Sequence, residues 1–478
     1  MRAGPRFTDA VEARYFVYYC EGISSQIGGP FGNKLWGQLI PQAGSEVSFI
    51  GRAVIALGAL SKSQSEREKE NPHHAYALAQ YVRALQGMRR SVREHPSDVR
   101  TALIGCLLVF CFESMQGHQG AASAHASSGS NLIASMCLNC RPKSWRESEL
   151  GAELYSAFSG LNLQSLLFLD KRDRGTHAFY KKGLSEAAKG MPGEFGDLEE
   201  CRRFWHYIMR RNLHFSLEVR DALSRTSSQA TSSSTHLGAD DRCRMDHASR
   251  TETASSSSPS LLVERDSYVQ DICRWEIASA PLLCRLSCPA TRSEEVFLIS
   301  CLLKIHAAMN IVLLTTAFSP PETAYDKFEA QFRTIVQLSE SIHRSLVSPS
   351  GGGSAEGGGT FRFEIGILPA LSQVGLLCRE RGVRGRAIGL LRGCRGYKEG
   401  IWDADGVGAV SGWVRDLEER ACVEEGGIDG SENESRGGMV PEENRVQLVE
   451  CEMTVEERVA SVVVRQSDGV EREGVVRW

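Results

Sequence analysis

The chain has 478 residues, is 42% hydrophobic and 24% charged, and carries a formal net charge of −4. That composition is that of a soluble globular protein, long enough for one large domain or two to three ordinary ones. It carries no global basic excess of the kind that announces nucleic-acid binding. Fifteen cysteines are scattered without pairing pattern, and MRAGPRFTDAVEARYF has no apolar leader core, so a reduced, intracellular chain is expected.

Helical periodicity dominates in chain order. RAVIALGALS (52–61) reads as an apolar helix with small faces. In HHAYALAQYVRALQGMRRSV (73–92), Leu78, Tyr81, Val82, Leu85 and Met88 recur at three and four, opposite Arg83, Gln86, Arg89 and Arg90. Ser97 or Asp98 is placed to cap the next helix, which runs through ALIGCLLVFCFESMQG. Gly117 and Gly120 are expected to break it. Ala121, Ala122, Ala124 and Ala126 then allow close approach of a following helix, anchored by Leu132 and Ile133. The run Leu103–Phe112 is too short to span hydrocarbon, which takes about 20 residues. FLISCLLKIHAAMNIVLLTTAF (297–318) is long enough, but Lys304, His306 and Asn310 interrupt it, which favours a buried core helix over a membrane span. Further helices are expected at about 151–168, 177–188, 197–222, 262–280, 292–318 and 322–346.

Two low-complexity stretches interrupt this array. Residues 224–260 are rich in serine and read as a disordered linker, and PSGGGSAEGGGT reads as a flexible one, since no Gly-Lys-Ser/Thr follows it. Three helices follow, the third from about Ala404 to Glu419. The last 55 residues, 424–478, hold 14 acidic and 6 basic side chains, a net of −8 that leaves +4 for the remainder. β-branched runs flank Ser467-Asp468-Gly469, a hairpin signal, with room for a third strand near Val446–Val449. The expected segments are 1–223, the first part of a helical domain; 224–260, the serine-rich linker; 261–348, the continuing helical domain; 349–360, the glycine-rich linker; 361–422, a C-terminal helical block; and 423–478, an acidic tail with a hairpin. The fold class is therefore all-α, an irregular multi-helix array with a disordered Ser-rich insertion and a short C-terminal β-hairpin.

Candidate chemistry is sparse. Cys137 and Cys140 have half a zinc-site spacing, but the nearest further ligands, Cys106, Cys111 and His125, fit helix faces. His236, Cys243 and His247 fall in the serine-rich segment. Cys284 and Cys288 are four apart beside Pro289. No nucleophile elbow, His-Glu-x-x-His or dinucleotide fingerprint is present, and His125 among alanines and serines reads as a packing residue. No catalytic, cofactor-binding or metal-ligating residue is assigned, no cofactor is expected, and the chain is not expected to be an enzyme. Arg379, Arg381, Arg384, Arg386, Arg392, Arg395 and Lys398 form a basic run. Val383, Ala387, Leu390, Leu391 and Cys394 give it a core stripe, so its arginines are expected on a solvated face rather than on DNA.

These segments, in this order, resemble a known family. The quoted residues are Arg14-Tyr15-Phe16, Leu35-Trp36, the helix Arg52–Leu60, Tyr81–Leu85, and Leu107–Gly117 with Phe112-Glu113 and Gln116-Gly117. Ala121-Ala122, His125 and Gly129 follow. Later come Gly366-Ile367-Leu368-Pro369, Cys378-Arg379, Arg386-Ala387-Ile388, Leu390-Leu391, Glu399-Gly400-Ile401-Trp402-Asp403 and Trp478. Together, over roughly residues 11–422, they are similar to the regulatory (middle-homology) domain of fungal-specific transcription factors of the two-zinc, six-cysteine cluster class. The resemblance implies a nuclear protein controlling transcription, often of metabolic or secondary-metabolite genes, and it identifies no catalytic residue. It further implies a cysteine-rich DNA reader ahead of this domain. Only fourteen residues precede Tyr15, none of them cysteine, and no other part of the chain has six tightly spaced cysteines. The expectation is a regulator whose gene model has lost an upstream exon, or one that works through a partner. Partners expected are other transcription regulators or a second copy, with DNA reached only indirectly or through a zinc cluster outside this chain, and no membrane. The competing classes are a DNA-free interaction scaffold and an α-helical enzyme with a cofactor in its core.

Overall fold

A computed structural model of the protein describes residues 7–32, 34–66, 71–139, 148–168, 172–234, 259–286, 293–318, 322–347, 360–426 and 438–478. The helices used below are α1 (Ala10–Tyr18), α2 (Ser48–Ser65), α3 (Pro72–Glu94), α4 (Val99–Gln116), α5 (Gln119–Asn139) and α6 (Glu149–Phe168), followed by α7 (Arg174–Lys189), α8 (Leu198–Ser234), α9 (Pro259–Leu286) and α10 (Glu294–Thr315), and then by α11 (Glu329–Val347), α12 (Leu368–Leu377), α13 (Arg381–Gly393) and α14 (Ala404–Gly426). The strands are β1 (Phe361–Arg362), β2 (Lys398–Glu399), β3 (Trp402–Asp403), β4 (Val446–Thr454), β5 (Val459–Gln466) and β6 (Glu471–Arg477). The architecture is all-α with two small sheets. The chain divides into two compact units, Met1–Leu169 with Arg333–Trp478, and Asp170–Phe332.

Helix boundaries follow local chemistry. Asp98 is the N-cap of α4, accepting from Thr101 N–H, and Gly117 ends that helix in the left-handed region at φ 93°. Gly120, expected as a second breaker, is instead the second residue of α5. The glycine after a helix takes the conformation other residues resist, so one glycine suffices for the turn. On α5, Ala122, Ala126, Gly129 and Ile133 are buried while Ala121 and Ala124 are exposed, a three-to-four spacing that selects half of the expected small residues. α8 runs past the expected end at 222 to Ser234, because extending an existing helix costs far less than starting one. Residues 322–328 form a 3-10 helix ahead of α11 rather than its first turns.

In the first unit α2 is buried on almost every side and packs against α1, α3 and α4. At Gly58 a Cβ would lie 2.4 Å from the Tyr15 carbonyl oxygen, so the α1–α2 approach requires glycine. The Tyr81 ring of α3 stacks on Phe112 of α4 at 3.9 Å. β2 pairs parallel with β1 and antiparallel with β3. The C-terminal sheet has order β4-β5-β6, all antiparallel, with Gly469 at φ 86° in the β5–β6 turn. The hairpin is thus joined by a full third strand. Its inner residues Ala460, Val462, Val464, Val446 and Val476 pack on Val410 and Val414 of α14, with Trp413 and Trp478 at the edge.

In the second unit α8 is central, flanked by α7, α9 and α10. Among the described residues of the chain, two helices, α4 of the first unit and α10 of the second, are long and apolar enough to cross a membrane by length and composition, and most of each is buried inside the fold.

Candidate functional site

The residues that carry the family resemblance meet in the first unit, and their meeting points are polar. Glu399 of β2 is fully buried. Its Oε2 accepts the backbone N–H of Gly366 at 2.8 Å and of Leu368 at 2.9 Å; its Oε1 accepts that of Ile367 at 2.9 Å and the Tyr397 hydroxyl at 3.0 Å. The carboxylate thereby caps α12 from a strand more than thirty positions downstream. Burial pushes its pKa up, against the backbone donors that pull it down. Gly366 has no room for a Cβ, which would meet Glu399 Oε1 at 2.5 Å.

The next residues tie this block to the N-terminal helices. Lys398 Nζ donates to the carbonyls of Met115 at 3.2 Å and Ser114 at 3.4 Å, at the end of α4. A cation there is favoured by the partial negative charge of a helix C-terminus. Asp403, 3.9 Å from Lys398, accepts Gly406 N–H at 2.9 Å and so caps α14. Burial lowers the Lys398 pKa and raises that of Asp403. Gln119 of α5 donates to the Ile401 carbonyl at 2.7 Å, and Gln164 of α6 to the Phe363 carbonyl at 2.6 Å. Gly400, at φ 56°, faces Gln164 where no side chain fits.

The basic run resolves into two classes. Arg379 and Arg384 are buried, which corrects the expectation of a solvated face for them. Both pair with the buried Glu418 of α14, Arg379 at 3.0 Å and Arg384 at 2.5 Å. Arg379 also donates to the Val446 carbonyl at 3.0 Å, and Glu418 accepts Val446 N–H at 2.9 Å, which anchors the first residue of β4. Two buried guanidinium groups held on one buried carboxylate are tolerable where a lone buried charge is not. Arg386, by contrast, is exposed and forms a fork with Glu340 at 2.8 Å. Arg392 and Arg395 are exposed.

The remaining cysteine and histidine candidates do not converge. Cys106 and Cys111 are buried thiols, the former pushed up to about 11 by burial, far from thiolate at neutral pH. His125 is half-buried and burial lowers its pKa. Cys284 is exposed. Cys140, His236, Cys243, His247 and Cys288, and the side chain of Cys137, lie outside the described residues. Among the described residues no three His, Cys, Asp or Glu side chains are placed to hold a metal ion.

A second polar cluster, which the sequence reading did not single out, lies in the second unit. Residues 208–215 of α8, IMRRNLHF, are all buried, and four of them are Arg210, Arg211, Asn212 and His214. Arg211 donates from Nη1 to Asp271 at 2.7 Å and from Nε to Asn212 at 3.1 Å, with its guanidinium carbon 3.8 Å from the Tyr268 ring centre. Asn212 donates in turn to Asn310 Oδ1 of α10 at 2.8 Å. His214 and His177 face each other through their Nδ1 atoms at 2.9 Å. Burial, then the charges of Arg172, His177 and Arg210, hold the His214 pKa down at about 2, so the ring is neutral. The spacing gave no signal: Arg210, Arg211 and His214 fall on one side of the helix, as the residues of a solvated face would.

No family model matches this chain, and no solved structure matches it. Among curated proteins the chain is similar to the aspercryptin biosynthesis cluster-specific transcription regulator atnN of Emericella nidulans, with 22% identity over 453 residues, covering 78% of this chain and 68% of that protein. A distant relative of this chain is thus a fungal cluster-specific transcription regulator, in line with the resemblance carried by the residues that meet around Glu399.

Proposed function

We propose that this chain is a transcription regulator of the fungal zinc-cluster type, located in the nucleus and controlling metabolic or secondary-metabolite biosynthesis genes. The observation that carries the reading is the similarity to atnN, which runs over most of both chains rather than over one motif. The residues quoted for the middle-homology resemblance support it. Gly366–Leu368 and Glu399–Asp403, distant in sequence, are bonded to one another and to helices α4, α5 and α6. The chain acts by binding rather than by catalysis. Its helical array controls when a DNA-binding module acts, whether that module is attached or brought by a partner regulator or a second copy.

The test is deletion of the gene, with transcript profiling and imaging of a tagged full-length protein. Loss of expression of a contiguous set of biosynthetic genes, with nuclear fluorescence, is the expected result. Unchanged transcript levels with a protein excluded from the nucleus would overturn the reading.

A further inference from the structure

Arg211 is locked on three sides. Its Nη1 is held by Asp271, its Nε by Asn212, and its face by Tyr268. Its Nη2 has no hydrogen-bond partner, although the residue is only 2% exposed. Asn310, 1% exposed, is in the same condition: its oxygen is taken by Asn212 and its Nδ2 has no partner. One hydrogen-bonded chain, Arg211–Asn212–Asn310, therefore ends in an unused donor at each extremity. A buried donor left without an acceptor has lost its water and gained nothing in return. Two in one connected network mark a place where acceptor oxygens belong.

Asp271 is shared, since its second oxygen takes Nη1 of the exposed Arg274 at 2.9 Å, so it offers Arg211 one oxygen only. A guanidinium edge fixed in direction is the donor best matched to carboxylate and phosphate oxygens. His214, one turn beyond Arg211 on α8, is neutral and fully buried, and its Nε2 has no partner. A neutral imidazole can accept from a ligand hydroxyl or donate to a further oxygen.

We propose that the core of the second unit, between α8, α9 and α10, holds a binding site for a small molecule bearing an oxyanion, its oxygens accepting from Arg211 Nη2 and Asn310 Nδ2. Carboxylate and phosphate share that chemistry. Because the network joins α8 to α9 through Asp271 and to α10 through Asn310, an occupant braces three helices at once. The inference goes beyond the transcriptional reading and is tested without it.

The experiment uses the purified full chain. Titration calorimetry and thermal unfolding are run with sodium malonate and with inorganic phosphate, against sodium chloride at matched ionic strength. Small molecules released on denaturing the purified chain are identified by mass spectrometry. Arg211→Met and Asn310→Leu are compared with the wild type; Asn310→Leu keeps every charge and decides the matter if Arg211→Met does not fold. Saturable binding of either anion, weakened at least tenfold in both folded variants, is expected. Malonate preference indicates a carboxylate ligand and phosphate preference a phosphorylated one. A stoichiometric small acid carried by the wild type and lost from Asn310→Leu supports the site equally. Binding no stronger than the chloride reference with no carried acid, or binding equal in the variants, would overturn it, leaving ordered water on the two donors.

Discussion

Replacing Glu399 tests whether acceptor geometry at one buried carboxylate holds the C-terminal block together. Alanine removes the acceptor of four hydrogen bonds of 2.8–3.0 Å, three of them from backbone N–H groups at the start of α12. Each buried donor so orphaned costs about 1–3 kcal/mol. Against this stands the relief of a carboxylate whose burial raises its pKa, so part of the loss is returned. The balance is a local destabilisation of about 3–5 kcal/mol. Glutamine is the discriminating variant. Its carbonyl oxygen in the place of Oε2 still serves Gly366 and Leu368, while its NH2 group opposes only Ile367 N–H and can donate to the Tyr397 hydroxyl oxygen. It should cost about 1–2 kcal/mol. Because the chain has two compact units, a single melting curve mixes them. Amide hydrogen exchange at Gly366, Ile367 and Leu368 reads the cap directly, as the free energy of local opening. Alanine exchange rates within a factor of about two of wild type, a difference of roughly 0.4 kcal/mol, would refute the argument. So would a glutamine variant as damaging as alanine, because charge rather than acceptor geometry would then be the cause.

Other substitutions separate buried from exposed chemistry. Glu418→Ala strands Arg379 and Arg384 in the interior and should lower stability by about 3–5 kcal/mol in urea unfolding. Arg386→Ala, which breaks an exposed fork to Glu340, should cost under about 1 kcal/mol in the same assay. Equal effects would contradict the division of the basic run. The folded pKa of His214, about 2, lies below its ordinary value of 6.5, so the unfolded chain binds the extra proton between those limits. Stability from this group is therefore present above pH 6.5 and falls as pH drops, by about 2 kcal/mol between pH 6.5 and 4.5. His214→Phe should flatten that slope in denaturant titrations, and an unchanged slope would refute the assignment. Gly58→Ala places a methyl group 2.4 Å from the Tyr15 carbonyl and should cost about 1–3 kcal/mol in thermal unfolding, with α1 displaced from α2.

The parts of this protein that depend on neighbours along the chain were legible in its residues. Apolar spacing located α2, α3 and the α4–α5 hairpin, Asp98 and Gly117 marked a helix start and stop, and Asp468-Gly469 marked the β5–β6 turn. Each is a matter of a few consecutive dihedrals, which local sequence suffices to specify. The face that α3 buries was not legible: Ala77, Gln80, Tyr81 and Ala84 are interior, while Leu78 and Val82 of the expected stripe are exposed. The class of partner each charged residue meets was not legible. Arg384 and Arg386 stand two apart in one helix, and although Arg384 falls within the apolar arc of Val383, Ala387, Ile388 and Leu391, nothing local names the carboxylate that meets it. One is buried because Glu418 arrives 34 positions later, and the other stays in water beside Glu340, 46 positions earlier. Glu399 likewise reads as one more acidic residue until tertiary packing sets it on the N–H groups of α12. In α8, periodicity cannot show that Arg211 and Asn212 are interior, because helices on several sides remove every solvent face at once. Burial of a charge is a property of what surrounds it in space, and only the folded chain decides it.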